Sequence, residues 1–462
     1  MKNVLTAVLT VIVFLPLLSF GQQRWETIIS DEDYSSVWNS LSYDGSQLII
    51  ASTGDVGSTV NIIYKIDKNG EILWEKHLVY DNWTVPSGII QSNNGETVVY
   101  GETGGKATVA LFDACNNLVW CHQYFDSTYY TETFYTYAII YQDKIVLSIS
   151  YVKNQYLYDI GLVCFDLEGN FLWDHPFNML QKYPEIASMI LCPYIFDFEN
   201  NLILSGYGYY SYPGSSISFL KPMFVKTDSD FNEEWLLTYG LTDISTNDTI
   251  LGEARGVVSY KNGILHGWGS STKPWEGYYN SNLMNFDTAG NETSFFITEN
   301  QMLDSTTTEN FFLDVATRDD TSYFTSIKYG NQGWKNPSGE VIIDTMGNVY
   351  QHNSHAGLQG GFLPLERDTV RNQYYLAYEN FDWDIVLYKL NADLSDAGTD
   401  TTTYNYDSLC DNLPIVSDTI YIGNCDVITT VSGISFAKSL PRGKAKVGVN
   451  SLSQPGRRQS KL

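Results

Sequence analysis

One hairpin recurs seven times along the chain, and it constrains the fold more than anything else in the sequence. An apolar strand ends in Asp, two variable residues and then Gly or Asn follow, and an aromatic stands seven residues after the Asp. The strong copies are Ile66-Asp67-Lys68-Asn69-Gly70 to Trp74, Phe112-Asp113 to Trp120, Phe165-Asp166-Leu167-Glu168-Gly169 to Trp173, and Thr227-Asp228 to Trp235. Weaker copies stand at Phe286-Asp287 with Gly290, Ile343-Asp344 with Gly347, and Leu390-Asn391. Asp or Asn closes its own turn through its side chain, and Gly supplies the positive φ that a tight hairpin requires.

The key positions 67, 113, 166, 228, 287, 344 and 391 lie 46–62 residues apart. That is longer than a solenoid repeat of roughly 20–45 residues and suits a four-stranded blade with long loops. A second signature precedes each copy, namely a strand, a tight turn and another strand. It is clearest at Leu41-Ser42-Tyr43-Asp44-Gly45 before Leu48-Ile49-Ile50, and at Ile89-Ile90 with Asn94-Gly95 before Val98-Val99. Each unit therefore reads as four antiparallel strands, and the spacing predicts an all-β fold, a single seven-bladed β-propeller over residues 24–403. The last unit lacks a good fourth strand, so Arg24-Trp25-Glu26-Thr27-Ile28-Ile29 is available to fill it. That pairing would close the ring and remove the exposed sheet edge.

With its Asp-x-x-Gly-x-x-x-Trp hairpins at Asp67 to Trp74 and Asp166 to Trp173, the chain resembles the secreted seven-bladed β-propeller repeat proteins of bacteria. It is also similar to quinoprotein-like repeats, although Gly and Trp fall one residue tighter and no adjacent cysteine pair is present, so no cofactor is expected. The Asp-Thr- and Asn-rich composition is similar to that of Bacteroidetes-type proteins, many of which use type IX secretion. That resemblance implies a secreted or cell-surface protein.

The amino terminus agrees with export. Met1-Lys2-Asn3, an apolar run from Val4 to Phe20 broken by Pro16, and Gly21-Gln22-Gln23 read as a signal peptide over residues 1–21. No later stretch is apolar enough to span a bilayer, so no stable membrane insertion is expected. With 53 acidic against 27 basic residues the net charge is −26, which repels nucleic acid. Residues 438–462 reverse this balance with seven basic and no acidic residues, and read as a disordered tail.

Six cysteines in an exported chain permit 15 pairings. Cys410 and Cys425 lie beyond the blades, bracketing a short segment, and are expected to pair with each other and close an extension over residues 404–437. Buried free thiols are expected for Cys121, Cys164 and Cys192, and a Cys115–Cys121 bridge is not expected.

Catalytic motifs are scarce. His77, His122 and His175 follow the repeat tryptophans and read as structural. His352 and His355 lack a third ligand, so no metal site is expected. Sialidase-type chemistry is disfavoured, because Arg318 and Arg367 end their strands whereas Arg255 starts one. The tight turns all fall on one face of the ring, so the long, aromatic loops between second and third strands make the other face the expected site of function.

Trp268, Trp275, Trp334 and Trp383, assigned to those loops, together with Tyr209 and Arg255, are the candidate ligand-binding residues. The favoured reading is a binding module for a glycan or protein ligand. A polysaccharide-active hydrolase or lyase is the alternative, with carboxylates from Asp243, Asp248, Glu253, Asp304 or Glu309, and a purely structural surface protein is the third. A channel lined by carboxylates and Arg255 would favour the enzyme; a flat aromatic surface would favour binding.

Overall fold

The computed structural model describes residues 26–430, apart from 31–33, 54–59, 81–83, 127–131, 155–156, 184–185, 199–200, 212–217, 239–250, 262, 273–279, 299–308, 331–337, 356–357, 360–364, 381, 383, 411–416 and 424. The leader (1–21) and the basic tail (438–462) lie outside the described residues.

Seven antiparallel blades form the ring, blades 3 and 4 joined by one parallel bridge, Tyr158↔Met189. Blade 1 comprises β2 (Tyr34–Leu41), β3 (Gln47–Thr53), β4 (Val60–Ile66) and β5 (Ile72–Tyr80). Blade 2 comprises β6 (Thr84–Gln91), β7 (Thr97–Thr103), β8 (Ala107–Phe112) and β9 (Leu118–Asp126). Blade 3 comprises β10 (Glu132–Tyr141), β11 (Lys144–Asn154), β12 (Leu157–Asp166) and β13 (Phe171–Pro176), followed by the one short helix among the described residues, α1 (Met179–Lys182). Blade 4 comprises β14 (Ile186–Phe198), β15 (Asn201–Ser211), β16 (Ser218–Thr227) and β17 (Glu233–Thr238). Blade 5 comprises β18 (Leu251–Lys261), β19 (Ile264–Thr272), β20 (Asn280–Phe286) and β21 (Glu292–Ile297). Blade 6 comprises β22 (Glu309–Thr317), β23 (Ser322–Gly330), β24 (Ser338–Asp344) and β25 (Val349–His355).

Blade 7 takes its inner strand from the short β26 (Leu358–Gln359) and β27 (Glu366–Asp368), then β28 (Gln373–Asn380) and β29 (Ile385–Asn391). Its fourth strand is β1 (Glu26–Ile29), paired antiparallel with β29 from Glu26↔Tyr388 to Ile29↔Ile385. The amino-terminal segment therefore closes the ring as its sequence suggests.

The repeat hairpin does two jobs. Within its own blade, the Asp67 carboxylate accepts the amides of Asn69 (2.7 Å) and Glu71 (2.8 Å), while Gly70 turns the chain at φ +88°. The same Asp closure recurs at Asp113, Asp228, Asp287 and Asp344. Between blades, the fourth strand reaches the turn of the next unit. Trp120 Nε1 donates to the Leu167 carbonyl at 3.0 Å, Trp235 Nε1 to that of Thr288 at 3.2 Å, and the Trp173 ring lies 4.4 Å from Phe231. His122 contacts the Gly169 carbonyl at 2.8 Å, a structural role. Gln351 and Asn353 donate to the carbonyls of Asp393 and Leu394, and Thr27 donates to that of Gly70.

The repeat tryptophans differ in burial. Trp74 is buried because the C-terminal segment lies over it, whereas Trp120, Trp173 and Trp235 are only partly so, each with one face on the neighbouring turn. The apolar second and third strands, such as Leu48-Ile49-Ile50-Ala51, are buried on both faces between blades.

The cysteine pairing is also corrected. Cys410 does not bond Cys425. Cys115 pairs with Cys410 and Cys121 with Cys425, while Cys164 is free and buried and the side chain of Cys192 lies outside the described set. The reason is the route of the C-terminal segment, which crosses the ring closure and does not fold on itself. Tyr404 covers the Lys68 ammonium at 3.1 Å, the Tyr406 hydroxyl accepts the Lys68 amide at 3.1 Å, and Asp407 meets the buried Lys65 and accepts from Trp74 Nε1 at 3.1 Å. Beyond that, β30 (Ser417–Gly423) adds a parallel fifth strand to β5 and β31 (Asp426–Thr430) adds one to β9. The segment is thus strapped across blades 1 and 2, held to blade 1 by β30 and Asp407 and to blade 2 by β31 and two disulfides. Such bonds point to an oxidising compartment.

Candidate functional site

The candidate site lies on the ring axis and is built by irregularities in the inner strands. β-Bulges occur in six of them, between Tyr34/Ser36, Pro86/Gly88, Phe134/Tyr137, Leu191/Tyr194, Ala254/Gly256 and Phe312/Asp314. A bulge inserts a residue and re-aims the side chains around it. The residues that follow the bulges differ in size. Gly88 leaves room for Tyr100 from β7, since a Cβ there would sit 2.0 Å from the tyrosine oxygen, and Gly256 does the same for Trp268 of β19. In blades 3 and 4 the ring comes from the inner strand itself, as Tyr137 and Tyr194, opposite the small Ser148 and Ser205.

These tyrosines form an edge-to-face chain across three blades. Ring centroids are 5.6 Å apart for Tyr100–Tyr137 and 5.7 Å for Tyr137–Tyr194. Burial raises all three hydroxyls above their ordinary range. The charges that act on them are shared: Asp314 and Glu366 at Tyr137, and Arg255, Glu253 and Asp314 at Tyr194. One electrostatic cluster therefore draws on blades 2 to 7.

Arg255 is the extra residue of the β18 bulge, falling between the ladder pairs Ala254↔Gly269 and Gly256↔Trp268. Its guanidinium forms an ion pair with Glu253 and lies 4.2 Å from the centre of the Phe311 ring. Asp314, just after the β22 bulge, accepts the amides of Val315 at 2.7 Å and of Leu365 at 2.6 Å, which ties blade 6 to blade 7 beside Glu366.

Burial pushes the Asp314 carboxyl up to about 7 against those two amide bonds. Burial, reinforced by the Asp314 charge and opposed by the Leu41 amide of blade 1, pushes Glu366 up to about 7 as well. Both keep some surface open to solvent. Glu253 and Arg255 stand toward the start of β18, at the long-loop end. Asp314 and the tyrosines lie halfway along their strands, and Glu366 lies closest to the tight turns.

The residues singled out from sequence divide accordingly. Arg255 and Glu253 are in the axial cluster. Trp268 is not in a loop: it sits on β19, 5% exposed, packed with Leu283, Phe312 and Tyr329. Its placement is corrected because the strand runs through it to cover Gly256. Tyr209 is on β15, half-buried, 6.3 Å from Tyr207. Trp275, Trp334 and Trp383 lie outside the described residues, as do Asp243, Asp248 and Asp304. Glu309 opens β22 beside Lys328.

Arg318 donates to Ala392 O and Arg367 to Arg318 O on the tight-turn side, so neither joins Arg255. His352 is exposed and His355 buried against Glu340 at 2.7 Å; three residues apart on one strand, they face opposite ways. Among the described residues no group of three or more His, Cys, Asp or Glu is placed to hold a metal ion, and no helix is long and apolar enough to cross a membrane. Sequence reasoning missed Asp314, Glu366, Tyr137 and Tyr194. The one available signal was an inner-strand Gly set against a second-strand aromatic, as in Gly88 with Tyr100.

No known family matches the chain, and no curated protein does. Solved structures resemble it at the level of the fold. An α-L-arabinanase from Penicillium chrysogenum is 10% identical over 70% of this chain and 97% of its own, with a TM-score of 0.41. The first two extracellular domains of Drosophila Semaphorin 1a are 9% identical over 80% of this chain and 88% of their own, at 0.46. A subtype N10 neuraminidase-like protein of A/little yellow-shouldered bat/Guatemala/060/2010 is 9% identical over 79% of this chain and 97% of its own, at 0.41. Likeness of this degree transfers no activity.

Proposed function

We propose that this propeller is an exported binding module that takes a carbohydrate into the long-loop mouth of its central channel. One observation carries the reading: Glu253, Arg255, Asp314 and Glu366, all on inner strands, form one electrostatic cluster with Tyr137 and Tyr194. Carboxyl and guanidinium groups supply paired hydrogen bonds to hydroxyls, and aromatic rings supply apolar planes for the faces of a sugar. Trp275 and Trp334, which in sequence fall between β19 and β20 and between β23 and β24, are proposed as further ligand contacts. Export rests on the leader-like amino terminus and is supported by the two disulfides.

Hydrolysis of the bound carbohydrate is a second reading: carboxyl groups clustered with Arg255 are the feature that favours an enzyme, and two of those carboxyls are near neutral. At neutral pH such a pair supplies both a proton donor and a proton acceptor.

The test is a glycan-array and turnover screen of the mature chain beside Arg255→Ala and Asp314→Asn. Binding lost in both variants, with melting temperatures kept, supports the axial site. Binding that survives both places the ligand elsewhere. Release of reducing ends by the wild type and not by Asp314→Asn would establish the hydrolase.

A further inference from the structure

We infer that the axial site selects uncharged carbohydrate and rejects acidic carbohydrate. The inference rests on the carbohydrate-binding reading and adds the charge class of the ligand. A site for a sugar carboxylate needs a cation whose charge is unspent. Here the Arg255 guanidinium is neutralised by Glu253 from two residues earlier on the same strand, and one of its faces is covered by the Phe311 ring at 4.2 Å. A charged pair of this kind still orients hydroxyls but offers an anion little net attraction.

Among the described residues, the remaining ionisable groups at the site repel anions or are neutral. Asp314 faces the amides of Val315 and Leu365, and its charge acts on Tyr137 and Tyr194. Glu366 faces the Leu41 amide and Asp314, and acts on Tyr100 and Tyr137. Among the described residues, the cluster holds three carboxyls from blades 5, 6 and 7, Glu253, Asp314 and Glu366, and one guanidinium, that of Arg255. When protonated, Asp314 and Glu366 donate hydrogen bonds to ligand oxygens; when ionised, they only accept them and repel a carboxylate. The preference should therefore widen as pH rises through about 7, where both groups lose their protons.

The experiment compares matched oligosaccharides, galactose oligomers against galacturonic acid oligomers and glucose oligomers against glucuronic acid oligomers, by titration calorimetry at pH 6 and pH 8. The wild type should hold the neutral partner of a pair at least about tenfold more tightly, with the gap larger at pH 8. Glu253→Gln, which frees the guanidinium charge, should narrow or invert the gap. Should that variant fail to fold, Arg255→Gln should widen it. Equal or tighter binding of the acidic oligomers by the wild type overturns the inference and leaves the carbohydrate site standing. A gap unmoved by these substitutions also overturns it. Failure of every oligosaccharide to bind overturns both.

Discussion

The indole of Trp120 lies against Gly169 of the next blade. A Cβ added to Gly169 would sit 2.9 Å from the ring, and Trp120 Nε1 donates to the Leu167 carbonyl two residues before that glycine. Gly169 also holds φ +84°, so two independent costs meet at one position. Gly169→Ala should destabilise by about 1–3 kcal/mol in chemical denaturation. Unchanged stability would mean that the motif does not clasp the blades together.

The repeat tryptophans should differ in cost. Trp74 is 2% exposed and anchored on Asp407, so Trp74→Ala should lose about 3–5 kcal/mol. Trp173, half-buried against Phe231, should lose less when truncated. Thermal melts of both variants check the ranking, and a reversed order would contradict the packing described here.

Peptide mapping without reduction should recover Cys115 linked to Cys410 and Cys121 linked to Cys425. These bonds close very long loops, with sequence separations of 295 and 304. Replacing either pair with Ser should lower stability by about 2–5 kcal/mol. A recovered Cys410–Cys425 peptide would contradict the route of the C-terminal segment.

The axial carboxyls give a pH dependence with a definite sign. Asp314 and Glu366 have folded-state values of about 7, raised from 3.8 and 4.5, so between about 4 and about 7 the folded chain holds protons that the unfolded chain has released. Their contribution is complete below about 4 and is lost as pH rises through about 7. Denaturation midpoints should fall over that window, and Asp314→Asn with Glu366→Gln should flatten the fall. A wild-type midpoint that rises from pH 4 to pH 7 while the double variant shows the same slope would contradict this.

Much of the ring was legible because its signals are local. Asp67 to Trp74 encodes a turn and its aromatic within eight positions, and Arg24 to Ile29 reads as a spare strand beside a blade that lacks one. The strap was not legible, because what Cys410 and Cys425 bond depends on where their segment, some 300 residues downstream of Cys115 and Cys121, crosses the ring. The axial site was half legible. Arg255 stands out as an inner-strand charge, whereas Asp314 and Glu366 look like ordinary strand residues until the bulges and the ring closure bring their blades together. Trp268 shows the opposite error. A tryptophan near a loop suggests a ligand platform, yet the glycine opposite it, Gly256, makes it a core residue.

The central claim is that ligand enters the channel and meets its inner strands. Hydrogen–deuterium exchange with the tightest oligosaccharide from the screen tests this directly. Protection should concentrate in residues 251–261 and 309–317, which hold Arg255 and Asp314, and in the short strand bearing Glu366. Protection confined to the outer strands at 417–423 and 426–430, or to the tight-turn face, would contradict it.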